Sequence, residues 1–211
     1  MNLKEIIQSE NKLFKEVSNL RKGFKVRLTL NEAKKAWMSI GMRLAHPTTY
    51  KIDDTNKATV IEILKWAIMD NSCKYDLNKG LWLAGDIGTG KTLMIQILIE
   101  LFRYSDKIIA PYSAIEIVEL FRSGLPRERI FISPLFIDDL GAEEPEVKVF
   151  GNVYKPLYEI LNRRYMSKRF LMFITTNLAP TQIEKRYGDR FRDRINEMFN
   201  VVKLTGKSRR K

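Results

Sequence analysis

Cysteine and histidine are nearly absent from this chain: Cys73 and His46 stand alone. One cysteine excludes internal disulfides and any cysteine cluster for zinc, and one histidine excludes His-based metal sites and Ser–His–Asp chemistry. A lone thiol fits a reducing compartment, so a cytoplasmic location is expected. No run of about 18 apolar residues occurs, which argues against a membrane span or a membrane partner. The opening MNLKE starts an amphipathic pattern and not a signal peptide. Repeats and low-complexity tracts are also missing. Against these absences stand 211 residues that are 45% hydrophobic, enough for one domain with a sizeable core and an appendage.

Charge is unevenly spread. The formal net charge is +12, of which residues 1–45 contribute +6 and residues 184–211 another +6, while residues 46–183 are neutral. Basic charge concentrated at the two ends, outside a neutral middle, favours a polyanionic partner, most often nucleic acid.

The most informative stretch is GDIGTGKT, residues 85–92. Its spacing, Gly85 then four residues then Gly90-Lys91-Thr92, matches a phosphate-binding loop, and its flanks match the strand–loop–helix context that the motif requires. The apolar run Gly80 to Ala84 reads as a buried strand, and Leu93 to Tyr104 has apolar residues at helical spacing. Gly85, Gly88 and Gly90 let successive N–H groups face an anion, and the following helix presents its positive end. Lys91 supplies a point charge near the β/γ-phosphates and Thr92 a hydroxyl for Mg²⁺. Gly85, Asp86, Ile87, Gly88, Thr89, Gly90, Lys91, Thr92 and Leu93 are therefore the nucleotide-binding candidates.

Around this motif the pattern alternates. Strands are expected at 81–84, 107–112, 134–138, 170–175 and 199–204, and helices at 57–70, 90–104, 113–123, 147–167, 180–187 and 189–198, which implies a parallel sheet covered on both faces. Residues 3–20 form one apolar helical stripe, and a second helix is expected from an N-cap at Asn31 to the break at Pro47. Residues 1–45 thus read as a small helical appendage and 46–211 as the main domain. The appendage is too small for a core of its own, so it must dock on the domain, on itself or on a partner.

Two further pieces belong with the loop. In LFIDDLG, residues 135–141, two acids emerge at the C-terminal end of a buried strand, where open α/β sheets bind ligands. Asp138 is the natural partner for Mg²⁺, and Asp139 can orient or deprotonate an attacking water. Glu143 and Glu144 read more simply as a solvated loop. In FLMFITTN, residues 170–177, a third strand ends on Thr175, Thr176 and Asn177, and the Asn177 amide could hold the lytic water or simply form a turn. The run RYGDRFRDRIN carries Arg186, Arg190, Arg192 and Arg194 among acids, as a salt-bridged helix face does; in an ATPase that assembles, one such arginine can reach a neighbouring subunit's γ-phosphate.

Together, GDIGTGKT, LFIDDLG, ITTNL, YGDRFRDRI and the terminal GKSRR resemble the AAA+ helicase loaders of DnaC type and their relatives, the ATPase helpers of insertion-sequence transposases. The likeness covers about residues 46–211. It implies an α/β P-loop fold with a five-stranded parallel sheet in the order 5-1-4-3-2, flanked by helices, and no C-terminal lid, since seven residues follow the last strand. It assigns Walker A to Gly85–Thr92, Walker B to Asp138 and Asp139, sensor 1 to Asn177, a trans-acting arginine finger to Arg194 and sensor 2 to Arg210, with Arg209 as the competing choice. It also implies single-stranded DNA binding around SAIEIVELFRSG, where Phe121 could stack on bases and Arg122 hold phosphates, although the apolar positions Ile115, Ile117, Val118 and Leu120 suit an ordinary core-facing helix. The family places partner recognition in the N-terminal appendage. The activity implied is an ATPase with ATP and Mg²⁺ bound between self-associated subunits, which loads or remodels a DnaB-type replicative helicase on single-stranded DNA. The alternative is a helper that coats DNA and recruits a transposase, which uses the same motifs. Having Asp139 as the second acid, in place of the more frequent Glu, shortens the arm that places water and suits slow, assembly-stimulated turnover. Tyr50 and Ile52 stand as candidates for the adenine contact.

Overall fold

The computed structural model describes residues 21, 23–125, 127–169, 171–206, 208 and 209. Five strands, β1 (Gly80–Gly85), β2 (Ala110–Ser113), β3 (Leu135–Leu140), β6 (Met172–Thr176) and β7 (Phe199–Leu204), pair in parallel in the order β2-β3-β6-β1-β7. Numbered among themselves, these are strands 5-1-4-3-2 read from the β7 edge, the order that the family resemblance implied.

Side-chain alternation along each strand divides the core in two. Leu81 and Leu83 of β1, Phe136 of β3, Phe173 of β6, and Val202 and Leu204 of β7 enter one cluster. Trp82, Leu135, Ile137, Met172, Ile174 and Phe199 enter the other. Helices α2 (Lys57–Ile68) and α3 (Lys91–Arg103) cover the first face, and α4 (Ala114–Arg122), α6 (Pro156–Met166), α7 (Pro180–Tyr187) and α8 (Asp189–Met198) cover the second. Both faces are dry, so the strands read as near-continuous apolar runs.

Helix α1 (Leu30–Ala45) starts two residues earlier than expected. Its N-cap is Thr29, not Asn31, because Thr29 and Glu32 form a reciprocal capping box. It lays Ala33, Trp37 and Ile40 into the first cluster against α3, so this described part of the N-terminal region docks on the α/β core. Residues 1–20 lie outside the described residues.

Two differences from the sequence reading flank β3. The helix expected over 147–167 begins only at Pro156, and residues before it form an antiparallel hairpin, β4 (Val147–Val149) with β5 (Asn152–Tyr154). Phe150 and Gly151 make its turn with positive φ, which a helix cannot accommodate, and Pro156 is pre-set for the first helical position. A short helix α5 (Glu128–Ile132) was also unforeseen. No helix among the described residues is long and apolar enough to cross a membrane.

Candidate nucleotide-binding site

The site forms where β1, β3 and β6 end, at the carboxyl edge of the sheet, as ligand sites in open α/β sheets do. β1 ends on Gly85, and the chain turns through Asp86 to Gly90 into α3, whose first residue is Lys91. Two glycines here are fixed by their neighbours. A Cβ at Gly85, where φ is +146°, would lie 1.9 Å from the Leu204 carbonyl oxygen, and one at Gly88, where φ is +84°, would lie 2.2 Å from Ser208 Oγ. The chain after β7 therefore folds back against the loop, and the Arg209 amide donates to the Gly88 carbonyl at 2.8 Å.

Lys91 is buried, and its ammonium donates to the carbonyls of Gly85 and Asp86, each at 2.8 Å, and to Asn177 Oδ1 at 2.7 Å. Thr92 Oγ1 donates to Asp138 Oδ1 at 2.8 Å, so the helix start and the end of β3 are joined directly. Consecutive residues of a regular strand point to opposite faces, yet Asp138 and Asp139 both line one cleft. The register explains this. Ile137 pairs with Ile174 and Leu140 with Thr176, so β3 carries one extra residue at the two acids, and Asp139 has φ +54°.

Thr175 holds this irregular segment, a role the sequence reading did not give it. Its hydroxyl donates to Asp138 Oδ1 at 2.5 Å and accepts from the Asp139 amide at 2.9 Å. Asn177 donates through Nδ2 to Asp139 Oδ1 at 2.8 Å while accepting from Lys91. The loop lysine, the sensor-position amide and both acids thus form one connected set around a cleft of about 780 Å³, which Ile87, Gly88, Gly90, Leu93 and Arg209 also line.

Arg209, the competing sensor choice, reaches this cleft; Arg210 lies outside the described residues. The Arg209 guanidinium bonds Asp53 Oδ1 at 2.9 Å and Thr55 Oγ1 at 2.6 Å, clamping the tail to the segment before α2. That pairing, with the Thr55 hydrogen bonds, holds the Asp53 carboxyl well below the usual carboxylate range.

Arg186, Arg190, Arg192 and Arg194 are not equivalent, and none of them lines the cleft of its own chain. Arg186 donates to the Glu143 carbonyl, and Tyr187 to the Glu143 carboxylate, which also accepts from the Gly141 amide at 2.8 Å. Glu143 is 4% exposed and braces the loop after β3, so the solvated-loop reading fails for it. Burial, then the nearby carboxylate, pushes the Tyr187 hydroxyl up. Arg192 pairs with Glu184, and Arg190 is exposed. Arg194 lies over the rings of Tyr165 and Tyr158, 5.0 and 5.8 Å from their centroids, and its Nη1 is buried with no hydrogen-bond partner.

Three other expectations change. Phe121 is buried in the second cluster beneath the Arg127 guanidinium and presents no face for base stacking, whereas Ile115 is half exposed. Arg122 is paired with Glu119 and Glu144. Tyr50 is core: it accepts a hydrogen bond from Trp37 and packs against Gly41, where a Cβ would meet its ring at 2.4 Å. Leu44, Ala45 and Thr48 line the cleft instead.

No protein-family model matches the chain, and no curated protein matches it. Solved structures do. DnaI is 19% identical, with a TM-score of 0.58 over 80% of this chain and 93% of that one. The DnaC helicase loader is 20% identical, with a TM-score of 0.55 over 82% of this chain and 99% of that one. The replication initiator DnaA bound to AMPPCP and single-stranded DNA is 18% identical, with a TM-score of 0.54 over 75% of this chain and 49% of that one. Identities this low speak to architecture alone, and on that ground the chain shares the fold of the DnaC helicase loader and of DnaI, a five-stranded parallel sheet with helices on both faces.

Proposed function

We propose that this chain is a cytoplasmic AAA+ ATPase that loads or remodels a replicative helicase on single-stranded DNA, with ATP and Mg²⁺ bound between subunits. The observation that carries the ATPase half is the hydrogen-bonded set Lys91, Asn177, Asp139 and, through Thr175, Asp138 and Thr92. The residues suit the group. Gly85 and Gly88 leave no room for a Cβ against the chain that follows β7, Gly85, Gly88 and Gly90 all have positive φ, and Thr92 with Asp138 offers hard oxygen ligands. Among the described residues no cluster of three or more His, Cys, Asp or Glu could hold a metal alone.

When bound, magnesium–ATP supplies the hydrolysable anhydride. Lys91, now bonded to carbonyls and the Asn177 amide oxygen, would hold the phosphate oxygens, and Thr92 and Asp138 would hold the metal. Asp139 and Asn177, already bonded to each other, orient the attacking water. Arg194 completes the site from a neighbouring subunit, and Arg209 or Arg210 reports the nucleotide state to the tail. Support for the replication half is the architecture shared with DnaC, DnaI and DnaA together with the +12 charge.

Partner recognition is assigned to the N-terminal region. Because α1 is part of the core, the informative comparison is the full chain against residues 21–211. Capture of a hexameric helicase by the full chain, with capture lost on removing residues 1–20, is the expected result, and equal capture would reject that assignment.

A further inference from the structure

At the opposite edge of the sheet from the nucleotide cleft, a cavity of about 270 Å³ opens where the strands begin: Ile108 precedes β2, Pro134 precedes β3 and Leu171 precedes β6. Two arginines in its wall are almost wholly buried, Arg21 at 5% and Arg164 at 1% exposure. Arg21 donates to the carbonyls of Leu77, Phe24 and Trp66, and Arg164 to those of Ile130 and Ser133. Neither takes part in any ion pair among the described residues. Carbonyl dipoles satisfy these N–H groups, and no carboxylate among the described residues neutralises either charge, a costly state for buried cations. Burial accordingly pulls both guanidiniums down, to about 9, so both remain charged at neutral pH.

The mouth adds two exposed cations, Lys168 and Arg169, and two apolar side chains, Ile108 at 77% and Ile132 at 54% exposure. Apolar side chains set among cations do not suit a wet, polar track for phosphates; they suit a protein segment that combines an apolar anchor with carboxylates. The chain's own residues 1–20 hold three lysines and three glutamates, so they bring no net complement to this charge.

We propose that this cavity is a docking site for an acidic, apolar segment of a partner protein, with an apolar side chain in the cavity and carboxylates toward the exposed Arg169 and Lys168, within the field of the two buried guanidiniums. It lies across the sheet from Lys91, so its occupancy can be judged apart from ATP binding.

The test uses the full chain and fluorescence anisotropy with a labelled twelve-residue peptide in which Leu and Phe alternate with Asp and Glu. Its Asn/Gln counterpart and a labelled single-stranded oligonucleotide serve as the comparison probes. The acidic peptide is expected to bind at least tenfold tighter than the amide peptide. The Lys168→Glu/Arg169→Glu protein, and separately Ile108→Asp, are expected to weaken it at least tenfold while binding of a fluorescent ATP analogue is unchanged. Equal binding of the two peptides, or an undiminished affinity in the charge-reversed protein, overturns the assignment. So does an oligonucleotide that loses affinity in that protein when the peptide does not, since the surface would then serve nucleic acid. A photo-crosslinker at position 108 is expected to capture the peptide; crosslinks into residues 1–20 at saturating peptide would give the pocket to the chain itself and refute partner docking.

Discussion

Replacing Thr175 by Val keeps the shape of a fully buried side chain and deletes one hydroxyl. That hydroxyl donates to Asp138 and accepts from the Asp139 amide. Loss of a hydrogen bond to a charged group costs about 1.5–3 kcal/mol, and an orphaned buried amide about 1–3 kcal/mol. Asp138 is half-buried and Asp139 exposed at the cleft, so water can recover part of both. A net destabilisation of about 2 kcal/mol follows, or a fall in Tm of about 4–8 °C for a chain of this size. The larger effect falls on chemistry. With the pin removed, the bulge at Asp138–Asp139 can relax toward a regular strand, which would turn one acid away from the cleft. A misplacement of about 1 Å in a positioning group costs roughly 10²-fold in rate. Steady-state ATP hydrolysis by Thr175→Val should therefore fall about 10²-fold, while metal-free binding of a fluorescent nucleotide to the loop changes little. Thr175→Ser, which keeps the hydroxyl, should recover most of the rate. A Val variant with normal turnover, or a Ser variant as impaired as Val, would refute the pinning role.

Arg194→Ala should remove the concentration-dependent part of the ATPase rate, by about 10³-fold at assembly-saturating protein, and leave the rate of dilute protein unaltered; a loss seen equally at all concentrations would place Arg194 outside the trans role. Gly88→Ala must push Ser208 aside and strain a left-handed residue by about 1–2 kcal/mol, so nucleotide affinity should drop at least tenfold by titration calorimetry. The Asp53–Arg209 clamp has a folded-state carboxyl pKa below the unfolded one. Its contribution is complete above about pH 4, the ordinary aspartate value, and fades as pH falls below it. Asp53→Asn should reproduce the acid effect at neutral pH, read as faster proteolysis of the tail in the variant and no further change on acidification. A DNA-coating helper and a helicase loader separate in one filter-binding experiment: loading requires preference for single strands with one chain per helicase subunit, and cooperative ATP-dependent coating of duplex would favour the helper.

Most of the residues that the structure gathers at the candidate cleft are legible in the sequence because each belongs to a short local pattern, a glycine loop or acids at the end of an apolar run. The sheet order came from the whole set of motifs and not from any one strand. What was missed depends on contacts distant along the chain. Thr175 looks like any strand-end threonine until β6 is known to lie between β1 and β3. Glu143 looks solvated until Tyr187 and Arg186 close over it. Tyr50 looked available for adenine because Trp37, thirteen residues earlier, is its partner. The 147–154 hairpin did carry a local signal, alternating Val147, Val149 and Val153 around a Gly151 turn, which a helical reading passed over.

The most direct measurement is calorimetric titration of magnesium–ATP into the wild-type chain and into Lys91→Ala. Saturable uptake of one nucleotide per chain, abolished by the substitution in a protein that still unfolds cooperatively, is the predicted result. No heat of binding from the wild-type chain, or unchanged binding without the lysine, would contradict it.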